Sequence, residues 1–247
     1  VPHKRLEELE VAGGPTILYM DLICEIDVRV AAFGPDGQPI GGAGVIEVFI
    51  RWLRIEGPRE APKVNGRLRG LVQADAVAFL GDVVDAVEQH GYACRTSFDG
   101  RCMWLQQEYQ VMLATEDYLS VRNTLRRLMP GAVGDASEIR AETFDLSTGR
   151  PIAIGDLFDP ATDWVPALSA AAIERLGNEP WTDDRRFTGA GPQAANFTRF
   201  NLTGGGLVLS FPPLTVGGSG TNTLSVTVPY RTLDGYWAPD GPVPMIG

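Results

Sequence analysis

Histidine is nearly absent from this sequence, which has two histidines in 247 residues. His3 lies near a terminus that we expect to be loose. His90 falls in the last turn of a predicted helix, where a cation meets the negative end of the helix dipole. A zinc site or a Ser/His/Asp triad therefore has too few imidazoles to draw on. We predict no catalytic residue, no metal site and no cofactor.

The sequence also lacks a run of about 18 apolar residues, the length that a membrane-spanning helix needs. It has 21 basic residues against 31 acidic ones, which gives a formal net charge of −10. This balance disfavours a phosphate-backbone partner, so we expect no nucleic acid, and it suits either a basic partner or solubility alone. Because the chain begins at Val1 rather than Met, we expect an upstream segment such as a processed leader.

Cysteine is the third scarce residue, with three copies. Cys94 and Cys102 flank the turn signal Asp99-Gly100, and cysteines that oppose each other on paired strands can meet disulfide geometry. Such a bridge persists in an oxidising compartment and not in a reducing one. The alternative is a pair of half-buried thiols on one hairpin. Cys24 lies on the apolar face of a predicted strand, where we expect an inert core thiol.

Two patterns dominate the first 90 residues. Apolar and polar residues alternate over 18–30, which predicts a long strand, and a loop rich in glycine and proline leads into a returning strand over 45–55. That loop does not resemble a phosphate-binding loop, because no Lys-Ser or Lys-Thr follows it and a strand comes next. Over 71–90 apolar residues recur at intervals of three and four, which predicts an amphipathic helix ended by Gly91.

The elements after residue 100 are shorter. Strands are predicted over 103–113 and 118–128, and propensity leaves a helix open for the second. A hairpin has Ser147-Thr-Gly149 as its turn, and Asp156 sits where an opening turn wants a carboxylate to accept N–H bonds. The further predictions are hairpin strands over 139–144 and 151–154, a helix over 163–176, a surface excursion over 177–195, strands over 197–202, 207–211 and 224–228, a closing helix or turn over 231–237, and a tail over 239–247.

Four strings carry a resemblance to one extracellular domain family. They are Thr143-Phe-Asp-Leu-Ser-Thr-Gly149, Ile154-Gly-Asp-Leu-Phe158, Phe200 to Phe211 and Val226 to Leu233. The family includes the outer domain of lysozyme-sensing anti-sigma factors of the RsiV type, a secreted immunogenic protein of mycobacteria, and a domain beside some peptidoglycan deacetylases. The resemblance is strongest over 92–237, and it implies a periplasmic or extracellular location and strands rather than a helix at 118–128.

The chain departs from the family pattern in one loop. Where many relatives have a Gly-Gly-Ala-His run, this sequence has Val133, Gly134 and Asp135, with no histidine. No role of that imidazole is carried over to this chain.

The sequence as a whole predicts one α+β domain over residues 1–247. The chain is long enough to bury a core, and 44% of its residues are hydrophobic. We expect a curved, mainly antiparallel sheet covered by two helices, to which residues 1–91 contribute a long hairpin and one helix.

The first functional hypothesis is an exported, non-enzymatic domain that recognises or inhibits a basic protein such as lysozyme. It rests on the resemblance and on the charge of −10, which would steer a cationic partner. Asp135 and Glu138, in and beside the departing loop, are its candidate binding residues, because recognition usually sits on loops held by a rigid sheet.

Two other hypotheses belong to different classes. One is a cell-envelope glycan module, either a peptidoglycan binder or the accessory half of a carbohydrate-active enzyme. Its aromatic platform would contain Trp181, Tyr236 and Trp237. The other is a hydrolase that uses a carboxylate pair, either Glu138 with Glu142 or Asp156 with Asp159. Pairs of this kind arise by chance in a chain with 31 acidic residues.

Overall fold

The computed structural model describes residues 3–29, 43–90, 101–128, 136–178, 187–216 and 223–246. Within these ranges the chain forms a seven-stranded sheet, a three-stranded sheet and three α-helices. The predicted α+β class is therefore confirmed. Cys94, Asp135 and Trp181 lie outside the described residues, as does the side chain of Cys102, so the predictions made for them stay predictions.

The seven strands of the larger sheet lie side by side in sequence order. Every neighbouring pair is antiparallel except β3 and β4, which are parallel because helix α1 crosses between them. The sheet is thus mainly antiparallel with one crossover. Its elements are β1 (His3–Glu10), β2 (Thr16–Arg29), β3 (Ala43–Glu56), α1 (Ala61–His90), β4 (Arg101–Ala114), β5 (Tyr118–Leu128), β6 (Ala136–Asp145) and β7 (Arg150–Pro151).

The N-terminal segment is not loose, and that prediction was wrong. Strand β1 pairs with β2 over its whole length, from His3 opposite Ile23 to Glu10 opposite Thr16. A tight turn makes this pairing possible, because Gly13 adopts a φ of 70°, a conformation that glycine tolerates best. Strand β1 is therefore an edge strand of the sheet. The alternation of apolar and polar residues in its sequence is too weak to predict it.

Helix α1 packs its apolar face on the sheet and forms the first core. It begins ten residues before the predicted start at Leu71, because Ala61, Val64 and Leu68 extend the buried spacing toward the N-terminus. Pro62 fits there, since proline is tolerated in the first turn of a helix. Cys24 is half-buried against this core and its thiol is free. The face buried under α1 also includes Ile46, Val48, Ile50, Met103 and Leu105.

The C-terminal part builds a second core around the three-stranded sheet. Strand β9 is central, with β8 and β10 antiparallel on either side, and helix α2 packs against the sheet through Leu168, Ala172 and Leu176. The elements are α2 (Trp164–Gly177), β8 (Phe200–Thr203), β9 (Gly206–Phe211), β10 (Leu224–Val228), α3 (Val243–Ile246) and 3₁₀ turns at Ile154–Leu157, Thr188–Ala190, Ala194–Phe197 and Tyr230–Leu233.

Two details of this half differ from expectation. The returning strand of the hairpin was predicted to reach Ile154 but stops at Pro151, because Ile154 enters a 3₁₀ turn. Asp156 accepts the N–H of Ala153 at 2.8 Å in that turn, as predicted. In the predicted surface excursion over 177–195, Ala190 is buried. Phe197, which was predicted to start a strand, is instead buried in a 3₁₀ turn ahead of β8.

A polar layer joins the two cores. The Oγ of Ser120 on β5 accepts hydrogen bonds from Asn201 Nδ2 at 3.0 Å and from the N–H of Leu202 at 3.1 Å. It also shares a hydrogen bond with Thr143 Oγ1, and Asn201 donates to the carbonyl of Val121 at 2.8 Å. The smaller sheet is thereby fixed against β5 and β6.

No helix in the described part of the chain combines the length and the apolar character that crossing a membrane requires.

Candidate binding surface

Four connections meet at one end of the seven-stranded sheet. They join β1 to β2, β3 to α1, β4 to β5 and β6 to β7. Between them lies a cleft of about 550 Å³, whose walls include Gly14, Pro58, Glu116, Asp117 and Ser147. Because each wall comes from a different connection, the cleft depends on how the whole sheet is assembled.

Hydrogen bonds hold these connections together. The N–H of Leu146 donates to the carbonyl of Asp117 at 2.7 Å, which ties the β6–β7 turn to the β4–β5 turn. Within the β4–β5 turn, the N–H of Tyr118 donates to Thr115 Oγ1 at 3.0 Å. Gly14 lies so close to Thr115 that a Cβ there would approach its carbonyl oxygen to 3.2 Å. The surface is therefore preformed.

A second cleft of about 320 Å³ lies beside the same corner of β5 and β6. Tyr118, Asp145, Asp156 and Asp240 line it, and Arg150 is the one cation among the described residues that line either cleft. We call the carboxylates of the two clefts the acidic end. Its members are Glu116, Asp117, Asp145, Asp156 and Asp240.

Asp145 is the most firmly held carboxylate of the acidic end. Its Oδ1 accepts hydrogen bonds from the N–H and Oγ of Ser147 at 2.7 and 2.6 Å, and from the N–H of Thr148 at 3.2 Å. Partial burial alone would raise the pKa of Asp145, but the bonds from Ser147 and Thr148 outweigh it and hold the pKa below its usual value. Asp145 is therefore ionised at neutral pH.

The C-terminal segment brings Asp240 to the same place. The N–H of Ala238 donates to the carbonyl of Leu157 at 3.0 Å, and the N–H of Gly241 donates to the carbonyl of Ala238 at 3.0 Å. This turn fixes exposed Asp240 in the wall of the cleft that Asp156 also lines.

Glu138, a predicted binding residue, lies away from the acidic end. It stands near the start of β6, whereas Asp145 ends that strand, so the two are about 23 Å apart along it. Its carboxylate is shared by two cations, Arg140 at 3.4 Å and Arg199 at 3.7 Å. A role for Glu138 in binding stays a prediction.

Trp237, the other predicted binding residue that the structure describes, is half-buried in the second core. Its ring stacks on Phe158 with centroids 4.7 Å apart and meets the edge of Tyr230 at 5.8 Å. Its Nε1 donates to the carbonyl of Tyr230 at 3.0 Å. Tyr236 beside it is also half-buried. An aromatic platform that includes Trp181 stays a prediction.

The carboxylate pairs considered for hydrolysis have structural partners. Arg67 donates to both oxygens of Glu142, at 2.9 and 3.0 Å, and Asp159 accepts the N–H of Ala161 at 2.8 Å. Among the described residues, no group of three or more His, Cys, Asp or Glu side chains is placed to hold a metal ion.

A second polar cluster lies inside the first core. Asp75 of α1 accepts hydrogen bonds from Arg140 and from Gln107, the latter at 2.8 Å, and Tyr109 is buried nearby. Burial raises the pKa of Asp75 despite the opposing effect of Arg140, and burial also raises the pKa of Tyr109. Because Asp75 and Gln107 line neither cleft of the acidic end, we regard this cluster as an anchor of α1.

Sequence reasoning did not identify the acidic end. Asp156 was recognised as a turn residue, and Glu116 and Asp117 lie between two predicted strands, but none was assigned to a surface. The direction of the strands could have indicated this surface, because alternate connections of an antiparallel sheet lie at the same end of the sheet. That signal requires the edge strand β1 and the parallel step at α1, neither of which was predicted.

No protein family model matches the chain, and no curated protein matches it. Solved structures that are similar to it include two proteins of the DUF3298 family. One is a DUF3298 family member from Bacteroides fragilis NCTC 9343, with a TM-score of 0.58 and 14% identity over 91% of this chain and 95% of that chain. The other is a DUF3298 family protein from Pseudomonas aeruginosa PAO1, with a TM-score of 0.54 and 12% identity over 90% and 94%. At such low identities the likeness concerns the fold alone, and the chain shares the fold of these DUF3298 structures.

Proposed function

We propose that this chain is an RsiV-like, exported binding domain that uses its acidic end to recognise a basic protein, with lysozyme as the model partner. The observation that carries the proposal is the acidic end itself. Five carboxylates from four separate segments of the chain surround two neighbouring clefts, with one cation, Arg150, among the described lining residues.

The geometry suits cationic side chains. Clefts of about 550 and 320 Å³ have room for the side chains of lysine or arginine, and carboxylates form strong charge-assisted hydrogen bonds with both. Asp145 stays ionised because of its hydrogen bonds. The net charge of −10 adds long-range attraction, which accelerates association with a basic protein at low salt.

The resemblance supports the same surface. The string Thr143 to Gly149 contains Asp145 and its supporting turn, and the string Ile154 to Phe158 contains Asp156. Two of the four strings that resemble the lysozyme-sensing family therefore lie at the acidic end.

Calorimetric titration of the purified chain with a panel of cationic lysozymes tests the proposal. We expect micromolar or tighter binding to at least one lysozyme at low salt, and weaker binding as salt rises, because screening reduces interactions between exposed charges. Absence of heat and of a complex with every lysozyme at low salt would show that the proposal is wrong.

The glycan hypothesis is the alternative, and purified peptidoglycan sacculi are its ligand. Retention on sacculi that survives high salt would indicate stacking on aromatic rings rather than charge. We favour the protein partner because one face of Trp237 is already covered by Phe158.

The proposed export can be tested separately, through the oxidation state of the cysteines. If the chain matures in an oxidising compartment, Cys94 and Cys102 form the predicted bridge, and the denatured but unreduced protein shows a single thiol, that of Cys24. Closing a loop of this length contributes roughly 2.5 kcal/mol to the free energy of unfolding. Three thiols in protein purified from an oxidising compartment would remove this argument for export.

A further inference from the structure

The outer face of α1 is unusually apolar for a helix surface. Val77, Leu80 and Val84 follow one another at intervals of three and four, and they are 70%, 39% and 54% exposed. Solvent-facing helix surfaces normally carry charged and polar residues, and a helix that is apolar on all sides is usually covered. The exposed positions from 73 to 81 are Gln73, Ala74, Val77, Ala78, Leu80 and Gly81, none of which is charged.

Glycines on the same side of α1 have no packing role within the described part of the chain. Gly66, Gly70 and Gly81 are exposed, and a Cβ added at any of them would meet nothing within 4 Å. Each glycine costs a helix about 1 kcal/mol relative to alanine. Small residues on a helix surface permit close approach of a second helix, and that gain would offset the cost.

A groove adjoins the N-terminal half of this face. Its volume is about 240 Å³, and Leu22, Ile50, Trp52, Arg69 and Gln73 are among its lining residues. The exposed Val77, Leu80 and Val84 lie in the C-terminal half of the same helix. The groove and the protruding apolar side chains are therefore separated along the helix, as halves of a self-complementary contact would be.

Charges on α1 follow the same division. Arg67 and Arg69 lie in the N-terminal half, whereas the exposed Asp82 and Asp85 lie in the C-terminal half. Within the chain, Arg67 pairs with Glu142 and Asp82 pairs with Arg127. Two parallel copies of the helix would place like charges together. Two antiparallel copies would place the basic half of one helix beside the acidic half of the other.

We propose that α1 is the contact surface for a second copy of this chain, with the two helices antiparallel across a two-fold axis. Leu80 and Val84 of each copy pack at the groove beside Trp52 of the other, so each contact occurs twice. The 30-residue helix is about 45 Å long, which gives the contact its length. The uncharged centre permits association despite the net charge of −10. This inference does not depend on the proposed function.

Sedimentation equilibrium of the full chain over a wide concentration range tests the proposal. We expect the mass to rise toward twice 26.7 kDa. Val77→Glu should raise the dissociation constant at least about a hundredfold, because it buries an unpaired carboxylate in the contact. The matched control, Leu9→Glu, changes an exposed leucine on β1 and should leave the mass unchanged. A wild-type mass of 26.7 kDa at every concentration, or a Val77→Glu variant that still dimerises, would overturn the proposal.

Two further variants separate assembly from folding. Gly70→Leu should keep or raise the thermal stability of dilute protein, since leucine favours helix, yet it should block dimerisation by filling the space between the helices. Leu80→Glu should weaken the dimer, because Leu80 packs at the groove beside Trp52 of the other copy. A Gly70→Leu chain or a Leu80→Glu chain that dimerises as the wild type does would contradict the antiparallel contact.

Discussion

At the scale of residues, Asp75 shows how α1 is fixed to the sheet. Its residue is 6% exposed, and it accepts hydrogen bonds from Arg140 on β6 and Gln107 on β4. Asp82 lies two turns further along the same helix and pairs with Arg127 at 3.2 Å, but its side chain is 47% exposed, against 4% for Asp75. Burial therefore distinguishes two ion pairs made by one helix.

Asp75→Ala should lower the free energy of unfolding by about 2 kcal/mol, because the buried amide of Gln107 loses its acceptor and Arg140 keeps only Glu138 as an anionic partner among the described residues. Asp82→Ala, the matched control, should change it by less than about 1 kcal/mol. Urea denaturation of dilute protein followed by circular dichroism measures both. Equal effects of the two substitutions would mean that burial is not the deciding factor.

Asp145 gives a pH-dependent expectation. Its pKa in the folded chain lies below the ordinary value of 3.8, so ionised Asp145 stabilises the fold above that value. The contribution disappears as the pH falls through the folded pKa. Asp145→Asn should therefore be less stable than the wild type near neutral pH, and the difference should shrink below pH 3.8. A difference that stays constant with pH, measured by denaturant titrations, would contradict this assignment.

At the scale of elements, strand periodicity predicted more than helix periodicity did. The strand over 118–128, which the resemblance favoured over a helix, has the predicted bounds, since its two neighbours let tertiary pairing override a competing helix propensity. Helix α1 was predicted to start at Leu71, because Gly66, Gly70 and the nearby arginines obscure the apolar spacing of its first ten residues. Strand β1 was missed because pairing with β2, rather than its own pattern, creates it.

The polar layer between the sheets offers a test at this scale. Ser120→Ala leaves the buried N–H of Leu202 and the amide of Asn201 without the Oγ acceptor that they share. We expect a loss of about 2 kcal/mol in the free energy of unfolding. Ser225→Ala is the control, with an expected loss under about 1 kcal/mol, because its partner Ser210 keeps Arg122 as a donor at 3.4 Å. Similar losses for both would argue against a joining role for Ser120.

At the scale of the whole molecule, the acidic end results from topology. Asp117, Asp145 and Asp240 are far apart in sequence, and each belongs to a different connection. The net charge was readable from composition, but the grouping of these carboxylates at one end was not. It requires the order of seven strands and the docking of the C-terminal turn, which depend on long-range contacts. The charge thus suggested the kind of partner that we propose, and the fold suggested the surface that we propose for it.

The most direct test of the central claim is the dissociation constant for a cationic lysozyme at low salt, measured by calorimetry for two charge-matched double variants. Glu116→Gln with Asp117→Asn neutralises two carboxylates of the acidic end. Glu8→Gln with Glu174→Gln neutralises two exposed carboxylates elsewhere. We expect the first pair to weaken binding about tenfold, a loss of roughly 1.4 kcal/mol, and the second pair to change it little. Equal weakening by both pairs, or none by the first, would contradict a binding site at the acidic end.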